Sequence, residues 1–189
     1  IELIIVVFMA LSCIHFGLLF ATVTVRHNNI FRSEVTRYSF ATFMVAGLFI
    51  AVSLWGSDIY PTLTEALRYG YFQAVSIIAT TGFATADTTV WTPLAIIILI
   101  FLMFQCGCAG STSGGIKSDR VWLTLKLLRA RITQQQHPNA IIRVKLNGVA
   151  QEDSVINMAV LFIVIYLMLV MAGTIIMTAF GLDLMTAFS

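Results

Sequence analysis

The chain has 189 residues, 59% of them hydrophobic and 11% charged, with a net charge of +2 and a mean hydropathy of +0.92. Soluble domains carry about a quarter charged residues, so this composition excludes a water-soluble fold and points to an integral membrane chain. Three cysteines, Cys13, Cys106 and Cys108, all lie in apolar stretches, and Cys106-Gly-Cys108 has no second pair or histidine at zinc spacing.

The cysteines therefore read as small hydrophobes with free thiols, uninformative about redox compartment. There is no initiator methionine and no signal-peptide pattern, and the sequence stops inside an apolar run at Ser189. The expectation is a piece of a longer protein.

Leu3–Val25 makes a first span of 23 residues, where a bilayer core needs about 20. It ends at Arg26-His27. His15 falls mid-span and is expected to be hydrogen-bonded between packed helices rather than to relay protons. Phe40–Trp55 is a second span, slightly short unless Tyr38 and Ser57 sit at the interfaces. Trp55-Gly-Ser-Asp58-Ile-Tyr60-Pro61 has the aromatic and proline character of a membrane boundary. Thr62-Leu-Thr-Glu65 then offers a capping box, predicting a helix from Leu63 to about Ala79. It has at most 17 residues, with Glu65 and Arg68 early and apolar residues later. Such a helix dips in from the surface and stops part-way.

It runs into Ala79-Thr-Thr-Gly-Phe-Ala-Thr-Ala-Asp87, too small and hydroxyl-rich to continue a helix. A dehydrated cation in a membrane needs several oxygen ligands and no fixed charge strong enough to trap it. Thr80, Thr81, Gly82 and Phe83 meet that need: threonines offer carbonyls and hydroxyls, and Gly82 frees the backbone to turn carbonyls one way. The helix would point its partially negative C-terminus inward, favouring a cation. Asp87 either raises the local cation concentration or is a solvated loop acid or a helix N-cap for Thr88 onward.

Trp91-Thr-Pro93 opens a further helix, with proline in the first turn where its missing N–H is harmless. Trp91–Phe104 holds 14 mostly apolar residues, about 21 Å of helix against the roughly 30 Å a span needs. Gly107–Gly115 is therefore expected at membrane depth, where irregular backbone survives only inside protein or a watery cavity. The competing reading, a cytoplasmic loop after a short helix, fits that length less well. Gly110-Ser-Thr-Ser-Gly-Gly-Ile-Lys117-Ser118 superficially resembles a phosphate-binding loop. Ile116 stands where glycine must precede the lysine, however, and an apolar span replaces the soluble strand.

Segment 116–132 is amphipathic and basic. Beside a bilayer it suits anionic lipid or an acidic partner, not nucleic acid. Ile141–Gly148 alternates apolar and basic residues ahead of Asn147-Gly148, consistent with a small hairpin or with a loose loop. Glu152-Asp153-Ser154 then caps a last span, Val155–Phe180, and Gly181 onward turns apolar again.

Charge fixes an orientation. Region 26–37 holds three arginines and 117–145 seven lysines and arginines, whereas 56–90 holds only Arg68 and 181–189 none. The first two are expected to be cytoplasmic. That is consistent only if 62–90 returns to the side it left, as a re-entrant loop does. A repeat is also hinted at: Phe40–Trp55 with Asp58 before Leu63, and Val155–Phe180 with Asp183 before Leu184.

Residues 79–87, followed by Gly107-Cys-Ala-Gly-Ser-Thr-Ser-Gly-Gly-Ile-Lys117, resemble the Trk/Ktr/HKT superfamily of potassium transporters, over nearly the whole chain. The resemblance implies an all-α membrane protein with span–pore helix–span repeats around a central ion pore. This chain would hold about one complete repeat plus parts of two others. Residues 1–37 would be the last span of a preceding repeat and a cytoplasmic loop, 38–132 a complete span–pore loop–broken span repeat, 133–153 a cytoplasmic linker, and 154–189 the first span and pore-helix start of the next. It implies that Thr80, Thr81 and Gly82 coordinate potassium, the substrate. It also implies that Gly107, Gly110, Ser111, Thr112, Ser113, Gly114 and Gly115 belong to an intramembrane loop obstructing the closed pore. No cofactor in this chain, no enzymatic activity and no nucleic acid are implied. The expected setting is the bilayer of a bacterial inner membrane, in a homodimer, with a cytoplasmic nucleotide-binding regulatory subunit on 117–150. The competing readings are a subunit of a homotetrameric two-span cation channel, a secondary transporter with broken helices, and a purely structural membrane subunit.

Overall fold

The computed structural model of the chain describes residues 1–24, 30–57, 59–137 and 142–188. Arg26-His27, Asp58, Pro138, Ile141 and Ser189, which carry some of the expected boundaries, lie outside them. The chain divides into two units, Ile1–Asp119 and Arg120–Ser189.

The first unit holds helices α1 (Glu2–Ser12), α2 (Phe16–Thr24), α3 (Glu34–Trp55), α4 (Leu63–Ile78) and α5 (Pro93–Phe104), and two short strands, β1 (Gln105–Cys106) and β2 (Ile116–Lys117). The expected span Leu3–Val25 is not one continuous helix over its described residues, 3–24. It is two helices bent by 100°, broken at Cys13–His15 although proline is absent. The backbone groups freed at the break find partners elsewhere: the Cys13 carbonyl accepts from the Cys108 N–H at 2.8 Å, and the Phe16 N–H donates to the Gly110 carbonyl at 3.1 Å. His15 lies at this break rather than between packed helices. It is exposed, with its ring against Gly110.

Helix α3 starts six residues before Phe40, because Ser33 caps it by accepting from the Thr36 N–H at 3.4 Å. Its partner α4 begins as expected, with the Thr62 hydroxyl accepting from the Glu65 N–H at 3.3 Å. The two helices approach closely through glycine, as apolar membrane helices do. A Cβ on Gly70 would lie 3.3 Å from the Ala51 nitrogen, and one on Gly47 would lie 2.5 Å from the Tyr71 ring. Tyr71 also donates to the Met44 carbonyl at 3.0 Å. Helix α5, capped by Thr92, is tied to α3 by Ser53 and Thr92 hydroxyls 2.6 Å apart. Phe43, Ile50, Leu54, Phe72, Val75, Ile78, Trp91, Leu99 and Leu102 form the buried core under these helices, with Met9 and Cys13 of the broken pair. That core holds the end of α4 in place.

The second unit comprises α6 (Ser118–Gln136) from Arg120 on, the hairpin β3 (Lys145–Leu146) and β4 (Val149–Ala150), α7 (Asp153–Ala179) and α8 (Leu184–Phe188). Asn147 and Gly148 have φ of 50° and 82°, the double positive φ of a type I′ turn. The hairpin of the two expected alternatives thus forms, with two residue pairs. Leu123, Val144, Ile156 and Ala159 make a small core, and the Arg120 guanidinium sits 3.7 Å from the centre of the Phe162 ring. Helix α7, with 27 residues, and α3, with 22, are long and apolar enough to cross a bilayer, and α1 with α2 is a bent third candidate. The chain is a helical membrane protein.

Candidate functional site

Helix α4 stops where the sequence predicts, by a specific hydrogen-bond closure. The Thr80 N–H donates to the Ile77 carbonyl at 2.9 Å and the Thr81 N–H to the Ser76 carbonyl at 3.1 Å. This is a Schellman ending, normally built on a glycine in the left-handed conformation. Here the left-handed residue is Thr80, at φ 53°, a genuine outlier for a β-branched side chain. Strain of that kind concentrates at functional sites. Two residues on, Gly82 has φ 72° and, among the described residues other than its chain neighbours, no atom within 4 Å of where a Cβ would stand. Glycine is needed there for its backbone, not for space.

Thr80, Thr81, Gly82 and Phe83 are all exposed. Among the described residues, no hydrogen bond is made to the carbonyls of Ala79, Thr80, Thr81 or Gly82, whereas the Phe83 carbonyl accepts from the Ser76 hydroxyl at 2.6 Å. The Thr81 hydroxyl turns inward, 3.2 Å from the Ser76 carbonyl, 3.3 Å from the Ser76 hydroxyl and 3.0 Å from the Met9 sulfur. Ser76 is fully buried and pins the segment at both ends, a role sequence reasoning missed. Its signal was a lone hydroxyl in the last turn of an otherwise apolar helix. The arrangement leaves a run of carbonyl oxygens without a described donor at the negative end of a helix, and such oxygens can solvate a cation.

Among the roles weighed for Asp87, the N-cap is formed. Its Oδ1 accepts from the Thr89 hydroxyl at 2.6 Å and the Thr89 N–H at 2.9 Å. These bonds hold the carboxyl below its ordinary value of 3.8.

The segment between α5 and α6 is irregular, as expected, and closed at its base by the parallel pairing of Gln105 with Ile116 and Cys106 with Lys117. Gln105, at the end of α5, accepts from the Tyr38 hydroxyl at 3.1 Å and donates to the Thr42 hydroxyl at 3.2 Å, anchoring the base to α3. Gly107 passes Cys13 so closely that a Cβ would lie 2.8 Å from the Cys13 carbonyl oxygen. Gly110, at φ 75°, lies under the His15 ring, 2.6 Å from a Cβ position. The Thr112 hydroxyl donates to the Ser12 carbonyl at 3.3 Å. Ser113 is buried, and its hydroxyl lies 2.9 Å from that of Ser111. Gly115 adopts φ 74°.

One contact joins the two predicted sites. The Gly114 N–H donates to the Thr80 hydroxyl at 2.9 Å. The sequence offers no signal for this hydrogen bond between the loop and the filter segment. Among the described residues, no group of three or more histidine, cysteine or acidic side chains is placed to hold a metal.

Residues 1–188 match the TrkH family of cation transport proteins. The chain belongs to that family. Its relatives include the Trk system potassium uptake protein TrkH of Halomonas elongata, 36% identical over all of this chain and 39% of that protein. The TrkH of Escherichia coli K12 is 27% identical with the same coverage. Among solved structures, the potassium transporter TrkH of Vibrio parahaemolyticus superposes with a TM-score of 0.91 at 29% identity, covering 100% of this chain and 41% of that one. The chain thus spans about two fifths of the length of the TrkH proteins it matches. The family is one of transport proteins, not enzymes.

Proposed function

We propose that this chain supplies one filter strand and the gate loop of a membrane protein that takes up potassium. The observation that carries the reading is the run of carbonyls from Ala79 to Gly82 that no described donor engages, at the end of α4, with Ala79 buried and Thr80, Thr81 and Gly82 exposed. Carbonyls so presented replace the hydration shell of a monovalent cation. The relatives' names supply the cation. Thr80, Thr81 and Gly82 coordinate it. Phe83 closes the strand, with its carbonyl drawn back to Ser76.

Gly107–Gly115 lies beneath that strand as the barrier, held to it through Gly114 and Thr80. The basic regions 26–37 and 117–145 face the cytoplasm of a bacterial inner membrane. The whole protein pairs as a homodimer, and a nucleotide-binding regulatory subunit meets 117–150 from the cytoplasm.

Rubidium uptake into proteoliposomes holding the full-length protein tests this. Uptake should saturate and be competed by potassium far better than by sodium. Equal competition by sodium, or uptake that tracks a second solute, overturns the proposal.

A further inference from the structure

Lys117 stands on β2, its backbone fixed by the pairing with Cys106, yet its side chain turns back into the loop it follows. The ammonium donates to the Ser113 carbonyl. It also lies 3.3 Å from the Ser111 carbonyl, 3.5 Å from the Ser111 hydroxyl and 3.4 Å from the Ser113 hydroxyl. Among the described residues no carboxylate pairs with it. The nearby acid, Asp119, accepts from the Ala109 N–H instead. A lysine head group is a compact point charge with strong hydration, and here carbonyl and hydroxyl oxygens replace its water. Oxygens of those two kinds, with no fixed negative charge, are the donor set that suits a weakly held monovalent cation.

We infer that Ser111 and Ser113 form a second monovalent-cation site, distinct from the carbonyl row at Ala79–Gly82, and that the Lys117 ammonium occupies it as a tethered ion. This rests on the filter and gate reading above and adds a ligand and a lock to it.

The site connects to the filter strand through one peptide group. The Ser113 carbonyl that receives the ammonium and the Gly114 N–H that donates to Thr80 at 2.9 Å are opposite ends of the same planar unit. A positive charge on the oxygen end polarises the unit and strengthens donation from the nitrogen end, by roughly 10–30% in condensed-phase estimates. An occupied site therefore holds the loop against the filter strand. A site that is empty, or filled only in passing by a mobile ion, loosens it. Lys117 fills the site without any dependence on ion concentration, which keeps the barrier shut at rest. When the ammonium swings away, the same oxygens become available to an ion passing the barrier.

Thallium, a monovalent ion with strong anomalous scattering, locates both sites in crystals of the full-length protein. Unmodified protein should show thallium at the carbonyls of Thr80–Gly82 and none between Ser111 and Ser113. Lys117→Ala should keep the first peak and gain one among the Ser111 and Ser113 oxygens. A filter peak without a loop peak in Lys117→Ala overturns the second site and leaves the transport reading standing; loss of the filter peak in both proteins overturns the transport reading.

Flux gives a second readout, with Lys117→Met keeping the unbranched stem. Basal rubidium leak should rise roughly ten- to hundredfold, the equivalent of one charge-assisted hydrogen bond. Lys117→Arg, whose planar fork does not fit a compact ion site, should leak as Lys117→Met does. An arginine variant as tight as the unmodified protein would mean that any positive charge suffices, and the cation site would be wrong.

Discussion

Replacing Gly82 by serine is the sharpest perturbation of the filter strand, because its cost can be assigned to a single cause. The position has φ 72° and, among the described residues other than its chain neighbours, no atom within 4 Å of a Cβ, so no described group crowds a side chain there. What remains is the left-handed backbone, which costs an L-residue about 1–2 kcal/mol. That strain comes within two residues of Thr80, which already holds φ 53°. The cheapest relief is rotation of the backbone about residue 82. This would turn the Gly82 carbonyl and break the 2.6 Å bond from Ser76 to the Phe83 carbonyl. An energy of 1–2 kcal/mol is a factor of about 5–30 between two conformations, so the rubidium-to-sodium flux ratio of full-length protein in proteoliposomes should fall by about that factor. Alanine carries the same backbone penalty and should behave as serine does. An unchanged ratio in both variants, or a loss with serine alone, would refute the conformational reasoning.

Four further outcomes are expected. Ser76→Ala removes the buried donor to Phe83 and should lower stability by about 1–3 kcal/mol and broaden ion selectivity; denaturation and flux ratios check both. Gly110→Ala places a Cβ 2.6 Å from the His15 ring and forces an alanine to φ 75°. It should lower the melting temperature, and adding His15→Ala should restore only the part due to the clash, as a double-mutant cycle reads. Asp87 is held below its ordinary value of 3.8 by Thr89, so its contribution to loop order is present above that pH and is lost as the pH falls through the lower folded value. The protection of the Thr89 amide, its exchange rate relative to the intrinsic rate at the same pH, should therefore fall on acidification in the unmodified protein but change little in Asp87→Asn. Deleting Ser111–Ser113 should raise basal flux, and unaltered flux would reduce the loop to an ordinary turn.

The helices were legible in the sequence where the cause of each boundary is local. Thr62 starts α4, Asn147-Gly148 makes the hairpin turn, and the shortness of α5 foretells irregular backbone after Phe104. What escaped has causes elsewhere in the chain. The run Leu3–Val25 is mostly apolar, with no residue at Cys13–His15 that breaks a helix by itself. It breaks because the loop at Cys108 and Gly110 offers its backbone the hydrogen bonds a helix would have made. Without that break the N–H of buried Cys108 would lose the Cys13 carbonyl that accepts it. Gly82 was legible as a special backbone position, but Thr80 was not, since nothing local asks a β-branched residue for positive φ. The Lys117 contact was hidden because a lysine after a glycine-rich run reads as the first cytoplasmic charge.

Cysteines placed at Tyr60 and Val90 of the full-length protein, and probed with a membrane-impermeant maleimide from each side in turn, test the re-entrant path most directly. Cys13, Cys106 and Cys108 are buried and give little background. Both engineered positions should react from the extracellular side alone. Reaction of one from outside and the other from the cytoplasm would mean that α4 and its following strand cross the bilayer, and neither filter nor gate would remain.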